Sequence, residues 1–285
     1  DRYCLPVNID YQIFPPELES QYSGGWLWSD HIGPEAMIKL RANMTIAGFN
    51  AQYGQSPSNQ EGEIIKKYYW QFYDPKAVTI NKTDVNFFAD TAFGREGVKN
   101  NAKGKSDFSV VLAVTNVNNN LYLIDRMKDR LISPHWRPEL ARFVMRNGSI
   151  DSSMVWIEPK ANGQTNIDEL RINGVQVDGV GYKLNLPQMN IKESLLTEGK
   201  EVRLDSQLSK IEGRRVFLPL GNFEYTFQGQ NGEPQTVKVA EWVADFIENC
   251  AKFPKGAHDD DIDPLVYALM YNLTQTGQLS SLWKI

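Results

Sequence analysis

The chain reads as an α/β protein with a mixed central sheet flanked by helices, and three features of its middle predict this. Apolar runs over residues 85–92, 107–115 and 121–125 have strand length and are separated by turn-rich breaks. A helical pattern over 138–146 follows, and a further apolar run over 152–158 ends in Glu158-Pro159. Short turns imply antiparallel neighbours, whereas a crossover helix lets the next strand run parallel to the first.

Each element has a local reason. Residues 1–75 are rich in aromatics, Gln, Asn and Pro without a repeated strand signal, and read as a connector or the tail of a preceding domain, with one short helix over 34–47. Residues 76–285 form the α/β domain. Its second strand stops at Asn116-Val117-Asn118-Asn119-Asn120, a cluster of turn formers. The helix over 138–146 has Pro138 in its first turn, where a missing N–H costs little, and Asn147-Gly148 as its stop. Residues 214–218 give a fifth strand, 223–239 a hairpin around Gly229 and Gly232, and 240–250 a helix. In the last helix Ile262, Leu265, Val266 and Leu269 share one face, so it packs on the sheet.

A chain of 285 residues, 41 % hydrophobic, suffices for one large domain or a domain plus an appendage. Its longest apolar run, 265–271, is far short of a membrane span, and the first residues lack a signal-peptide layout, which predicts a soluble intracellular protein. The chain opens on Asp1 rather than Met, as a piece of something longer would. Cys4 and Cys250 lie at opposite ends, which suggests buried free thiols rather than a disulfide framework. A net charge of −5 argues against coating nucleic acid through bulk charge. Local basic stretches remain, at Arg95, Lys99, Lys103 and Lys105 and over 126–142.

The chemistry concentrates where His258 runs into Asp259-Asp260-Asp261-Ile262-Asp263, four carboxylates in five residues. Such a run repels itself unless a cation is close, and carboxylate oxygen is the donor that magnesium, manganese and calcium prefer. Asp90 near the end of the first strand and Glu158 at the end of the fourth would emerge together if those strands are parallel neighbours, at the carboxyl edge where open α/β sheets build sites. The register of the aspartates depends on where the helix starts. A helix that includes residue 259 sets Asp259 and Asp263 beside the apolar stripe; a later start makes Asp260 and Asp263 the facing pair. At least one of the four serves as an N-terminal charge favoured by the helix dipole.

Other motifs fail on their letters. An EF-hand loop from Asp259 needs Gly at 264 and Glu at 270, where Pro264 and Met270 stand. Gly104-Lys105-Ser106 lacks the earlier Gly of a Walker A loop, Lys99 standing there, and His31, His135 and His258 are too scattered for zinc.

Taken in order, Asp90-Thr91-Ala92, Lys105-Ser106-Asp107, Ile157-Glu158-Pro159-Lys160-Ala161-Asn162-Gly163, Lys200-Glu201-Val202-Arg203, Arg215-Val216-Phe217-Leu218-Pro219, and Phe253-Pro254 ahead of His258-Asp259-Asp260 resemble the nuclease domain of tailed-phage terminase large subunits. Residues 49–57, Glu61-Gly62 and Trp70 fit the family's connector. The resemblance implies an RNase H-like fold and a metal-dependent endonuclease that cleaves double-stranded concatemeric viral DNA during genome packaging, in the host cytoplasm. It implies catalytic roles for Asp90, Glu158 and Asp260, and metal binding by Asp90, Glu158, Asp259, Asp260 and Asp263. The metal would be Mg2+ or Mn2+, as two ions roughly 3.5 to 4 Å apart bridged by Asp90. Arg95, Lys103, Lys105, Lys160, Lys200 and Arg203 are the candidate contacts to the DNA backbone. The implied partners are double-stranded DNA, a packaging ATPase domain in the full-length chain, the portal and the small terminase subunit, with no membrane. Asp261 departs from the family pattern and is read as a bystander. Two alternatives share the fold: a docking module for portal or regulatory partners with little activity alone, and a junction-resolvase-like nuclease preferring branched DNA.

Overall fold

A computed structural model describes residues 6, 8, 16–27, 33–42, 44–55, 64–91, 108–131, 133–159, 162–189, 199–256 and 259–273. Along them run α1 (Pro34–Ala42), α2 (Ile46–Gln52), β1 (Gln71–Tyr73), β2 (Asn86–Asp90), β3 (Ser109–Val117), β4 (Asn120–Asp129), α3 (Ser133–Asn147), β5 (Val155–Ile157) and α4 (Asn162–Asn173). There follow β6 (Val175–Val177), β7 (Val180–Tyr182), α5 (Lys200–Glu212), β8 (Val216–Gln228), β9 (Pro234–Val239), α6 (Glu241–Lys252) and α7 (Ile262–Asn272).

The central sheet has the order β1-β8-β4-β3-β2-β5, with β9 paired to the far part of β8. Strands β2, β3 and β4 form an antiparallel meander, turned between β3 and β4 by Asn118 and Asn119 at φ 53° and 61°. After the crossover through α3, β5 returns parallel to β2, and β8 lies parallel to β4. A meander, a crossover helix and a strand parallel to the first make up the RNase H-like arrangement that the motifs imply.

Alternation along the strands divides the core in two. Phe87 and Ala89 of β2 pack with Val111, Ala113, Trp136 and Leu140 on the face that α3 covers. Phe88 packs on the other face with Val110, Leu112, Leu204, Phe246, Leu265 and Leu269, drawn from β3, α5, α6 and α7. Leu265, Val266 and Leu269 are fully buried, each stabilising the fold by roughly 1.5–3 kcal/mol. The stripe read from the sequence therefore holds α7 on the sheet.

Four elements differ from the sequence reading. Helix α3 starts at Ser133, so Pro138 lies inside it. The proline leaves the carbonyl of Pro134 without its helical donor, but Pro134 is exposed, and burial of Trp136 favours extending the helix. The strand over 214–218 and the hairpin are continuous as β8, with a register shift between Leu220 and Phe223. A side chain at Gly221 would meet Ala240 Cα and Val239 O at 2.7 Å, so this bend requires glycine. The helix over 34–47 is two helices, the second capped by Thr45, which accepts from the Gly48 N–H. Finally, Ile65, Tyr69 and Trp70 are buried in the main core and β1 pairs in parallel with β8, so residues 64–73 pack with the central sheet. Among the described residues no helix is long and apolar enough to cross a membrane.

Candidate metal centre

Parallel pairing aligns Phe88 with Trp156 and Ala89 with Ile157, so Asp90 and Glu158 each stand one residue beyond the same rung. Alternation then sends both carboxylates to the side of Phe88 and Trp156, the side that α7 covers. Beneath them the Phe88 and Trp156 rings stack at 6.1 Å, and Trp156 meets Tyr271 of α7 at 4.4 Å. The start of α4 also abuts the site: a Cβ at Gly163 would collide with the Glu158 carbonyl oxygen, so only glycine fits there.

Because α7 starts at Ile262, Asp259 and Asp260 precede it, Asp261 flanks it and Asp263 sits in its first turn. Asp263 and Tyr267 are four residues apart, hence on one face of the helix. One oxygen each from Asp90, Glu158 and Asp263 lie within 4.8 Å of one another, an all-carboxylate donor set suited to a hard divalent cation. Burial first, then the Asp263 and Glu158 charges, pushes the Asp90 carboxyl up from 3.8 to about 7; Asp260 adds to the rise and Lys200 opposes it. Tyr267 donates its hydroxyl proton to Glu158 Oε1 at 2.7 Å. Burial, reinforced by the Glu158 charge, raises the phenol further, so it stays a donor.

Cations from α5 meet this face of the cluster. Asp263 Oδ1 accepts from Arg203 Nε at 3.0 Å and Nη2 at 2.5 Å, while its Oδ2 lies 3.3 Å from Lys200 Nζ. Lys200 also donates to Asp259 Oδ1 at 2.9 Å. At the other end of α7, Lys210 Nζ donates to the carbonyls of Leu269 and Leu273 at 2.8 and 3.0 Å, satisfying orphan acceptors of that terminus. Helix α5 thus grips α7 at both ends.

Asp261 faces a different set. It is fully buried and accepts from Arg126 Nη1 through both oxygens, at 3.1 and 3.0 Å, and from Lys128 and Asn249 at 3.1 and 3.0 Å. Four cationic side chains of the chain itself, Arg126, Lys128, Lys200 and Arg203, also contact the aspartate run, so a metal ion would share its neutralisation with them.

Of the residues singled out in the sequence, Asp90, Glu158 and Asp263 come together. Asp260 is buried close enough to act on the Asp90 charge but stands outside that trio, and Asp259, its side chain 42 % exposed, is engaged by Lys200. Arg203 and Lys200 direct their cationic groups into the carboxylates. Arg95, Lys103, Lys105, Lys160, His258 and Cys4 lie outside the described residues. In the basic stretch over 126–142, Arg137 and Arg142 pair with Glu169, and with Glu139 and Asp178, respectively, while Arg130 stacks over Phe108 at 3.9 Å. Cys250 is a buried free thiol. Sequence reasoning missed Tyr267, although its place four residues after Asp263 marks the same helix face.

No family model and no curated protein matches the chain. Among solved structures it is similar to the large terminase nuclease from thermophilic phage G20c with bound magnesium, at 12 % identity and a TM-score of 0.42, over 75 % of this chain and 99 % of that one. It is also similar to the large terminase from a second thermophilic bacteriophage, at 10 % identity and a TM-score of 0.43, over 86 % and 53 % of the two chains. The human cytomegalovirus terminase nuclease domain, manganese-soaked and inhibitor-bound, gives 11 % identity and a TM-score of 0.38, over 72 % and 91 %.

Proposed function

We propose that the chain is a divalent-metal-dependent endonuclease that hydrolyses phosphodiester bonds of double-stranded DNA. The observation that carries this reading is the meeting of Asp90, Glu158 and Asp263 oxygens at one sheet edge, within 4.8 Å of one another. The donor set fits Mg2+ or Mn2+, and the Asp90 carboxyl, raised by burial first and then by the Asp263 and Glu158 charges, is one whose ionised form a divalent charge would favour. Bound there, such a cation supplies Lewis acidity toward a phosphate oxygen and lowers the pKa of water.

The chain's own residues supply orientation. Tyr267 fixes Glu158 through Oε1, and the Arg203 fork fixes Asp263, so two of the three carboxylates are held in place before any ligand arrives. Asp90, carried on the end of β2, is proposed as the central acid, with Asp260 and Asp259 as candidate further ligands if a second ion is taken up. Arg130, at the same sheet edge, together with Arg95, Lys103, Lys105 and Lys160, is proposed to follow the phosphate backbone. Backbone contacts carry no base information, so cleavage should show little sequence preference and should weaken steeply with salt.

The order of motifs along the chain supports the finer reading: cutting of concatemeric viral DNA during packaging in the host cytoplasm, beside an ATPase domain, a portal and a small terminase subunit. The test is nicking of supercoiled plasmid with Mn2+, run beside Glu158→Ala and with EDTA. Nicking by the wild type alone is expected. Equal rates in wild type and Glu158→Ala would end the nuclease reading, and a strong preference for four-way over linear DNA would move it to a junction resolvase.

A further inference from the structure

The cluster already contains a flexible cation at a place where metal charge is called for. Lys200 stands at the first position of α5, after Gly199, and its ammonium bridges Asp259 Oδ1 at 2.9 Å and Asp263 Oδ2 at 3.3 Å. Arg203, one turn later, occupies the other oxygen of Asp263 through two N–H groups and is itself 3 % exposed. The two cations differ in kind. Arg203 is a buried planar fork in a fixed geometry, whereas Lys200 is a point charge on a flexible stem with its side chain 28 % exposed, so only Lys200 has room to leave.

Asp263 is therefore shared between two claims. The carboxylate belongs to the trio suited to a divalent ion, and its Oδ2 is in ion-pair range of the Lys200 ammonium. A divalent ion on the trio and an ammonium on the same carboxylate repel each other, each lowering the affinity of the site for the other.

We propose that Lys200 is the resident counter-cation of the metal-free site, joining Asp259 to Asp263 and withdrawing from Asp263 when a divalent ion binds. The inference rests on the metal site of the proposed function but not on DNA cleavage. Burial works against the Lys200 charge, yet Asp263, Asp259 and Asp90 together outweigh it and keep the group protonated. The consequence is regulatory. The exchange sets a threshold of metal concentration below which the acids stay paired and folded but not loaded, and the released ammonium becomes available to an incoming phosphate.

The test uses Mn2+ alone, without DNA. Calorimetric titration of Mn2+ into wild type, Lys200→Met and Lys200→Arg should show roughly tenfold tighter binding in the methionine variant and no gain in the arginine variant, since only the former removes the competing charge. In EDTA, Lys200→Met should melt below the wild type, because Asp259 and Asp263 then lack that cation. Equal or weaker Mn2+ binding by Lys200→Met would overturn the proposal, as expected of a lysine that only touches substrate. A second measurement needs no variant: amine acylation of wild-type Lys200, read by mass spectrometry, should rise when Mn2+ is added, and unchanged or lower labelling overturns the proposal. Failure of the plasmid assay with this Mn2+ pattern intact would remove the nuclease reading alone. Normal cleavage with no Lys200 effect would remove this one alone.

Discussion

Tyr267 and Glu158, 109 residues apart in sequence, share a buried hydrogen bond of 2.7 Å in which the phenol donates to the carboxylate. The contact ties α7 to the end of β5 and fixes one oxygen of a candidate metal ligand. It also gives α7 a role beyond carrying Asp263.

Tyr267→Phe removes the donor and keeps the ring. Outer partners of metal ligands typically matter 10- to 100-fold, so kcat for plasmid nicking should fall by roughly that factor with KM little changed. The lost bond costs about 1–3 kcal/mol of stability because Glu158 is left buried without that donor. Steady-state kinetics and Mn2+ titration check it. A variant with lower stability but unaltered kcat and Mn2+ affinity would make Tyr267 structural only.

Asp90 gives a pH dependence whose sign is fixed. With its carboxyl raised from 3.8 to about 7, the native state keeps a proton that the unfolded chain has released across that window. Stability from this group is therefore present at acid pH and lost as pH rises toward 7. In EDTA the wild type should lose stability from pH 5 to pH 8 relative to Asp90→Asn, which should be the more stable of the two at pH 8. Addition of Mn2+ should raise the wild-type Tm more at pH 8 than at pH 5 and leave Asp90→Asn nearly unmoved. Thermal melts at the two pH values read both effects.

Asp261 should matter for folding and not for metal. Its replacement by Ala weakens the pairing of Arg126 and Lys128, whose side chains are 6 % and 12 % exposed, leaving Asp245 as the acid paired with each among the described residues. A loss of about 3 kcal/mol is expected, at the lower end for a broken buried pair because Asp245 remains. Urea denaturation measures it, and the Mn2+ affinity of the folded variant should stay within about twofold of wild type, because the Asp261 carboxylate is turned to Arg126 and Lys128 and is not one of the trio.

The legibility of the chain follows the range of the forces involved. The meander could be read because alternation, turn formers at Asn116 to Asn120 and the β2–α3–β5 crossover act locally, and they place Asp90 and Glu158 on one edge. The register of the aspartates could not be read, because the start of α7 is coupled to the pairing of Asp261 with Arg126 across 135 residues. The same holds for β1, three residues long, whose partner strand β8 begins at Val216. The cations Lys200 and Arg203 stood out in sequence as surface charges suited to phosphate. Helix α5 instead turns them inward, since Leu204, Leu208 and Ile211 bury the neighbouring face.

The trio itself is tested most directly by anomalous diffraction from a crystal soaked in Mn2+. The arrangement predicts an anomalous peak bonded to oxygens of Asp90, Glu158 and Asp263, with Asp261 still on Arg126. A peak held by Asp259 or Asp261 away from Asp90, or no peak at the sheet edge at millimolar Mn2+, would contradict it.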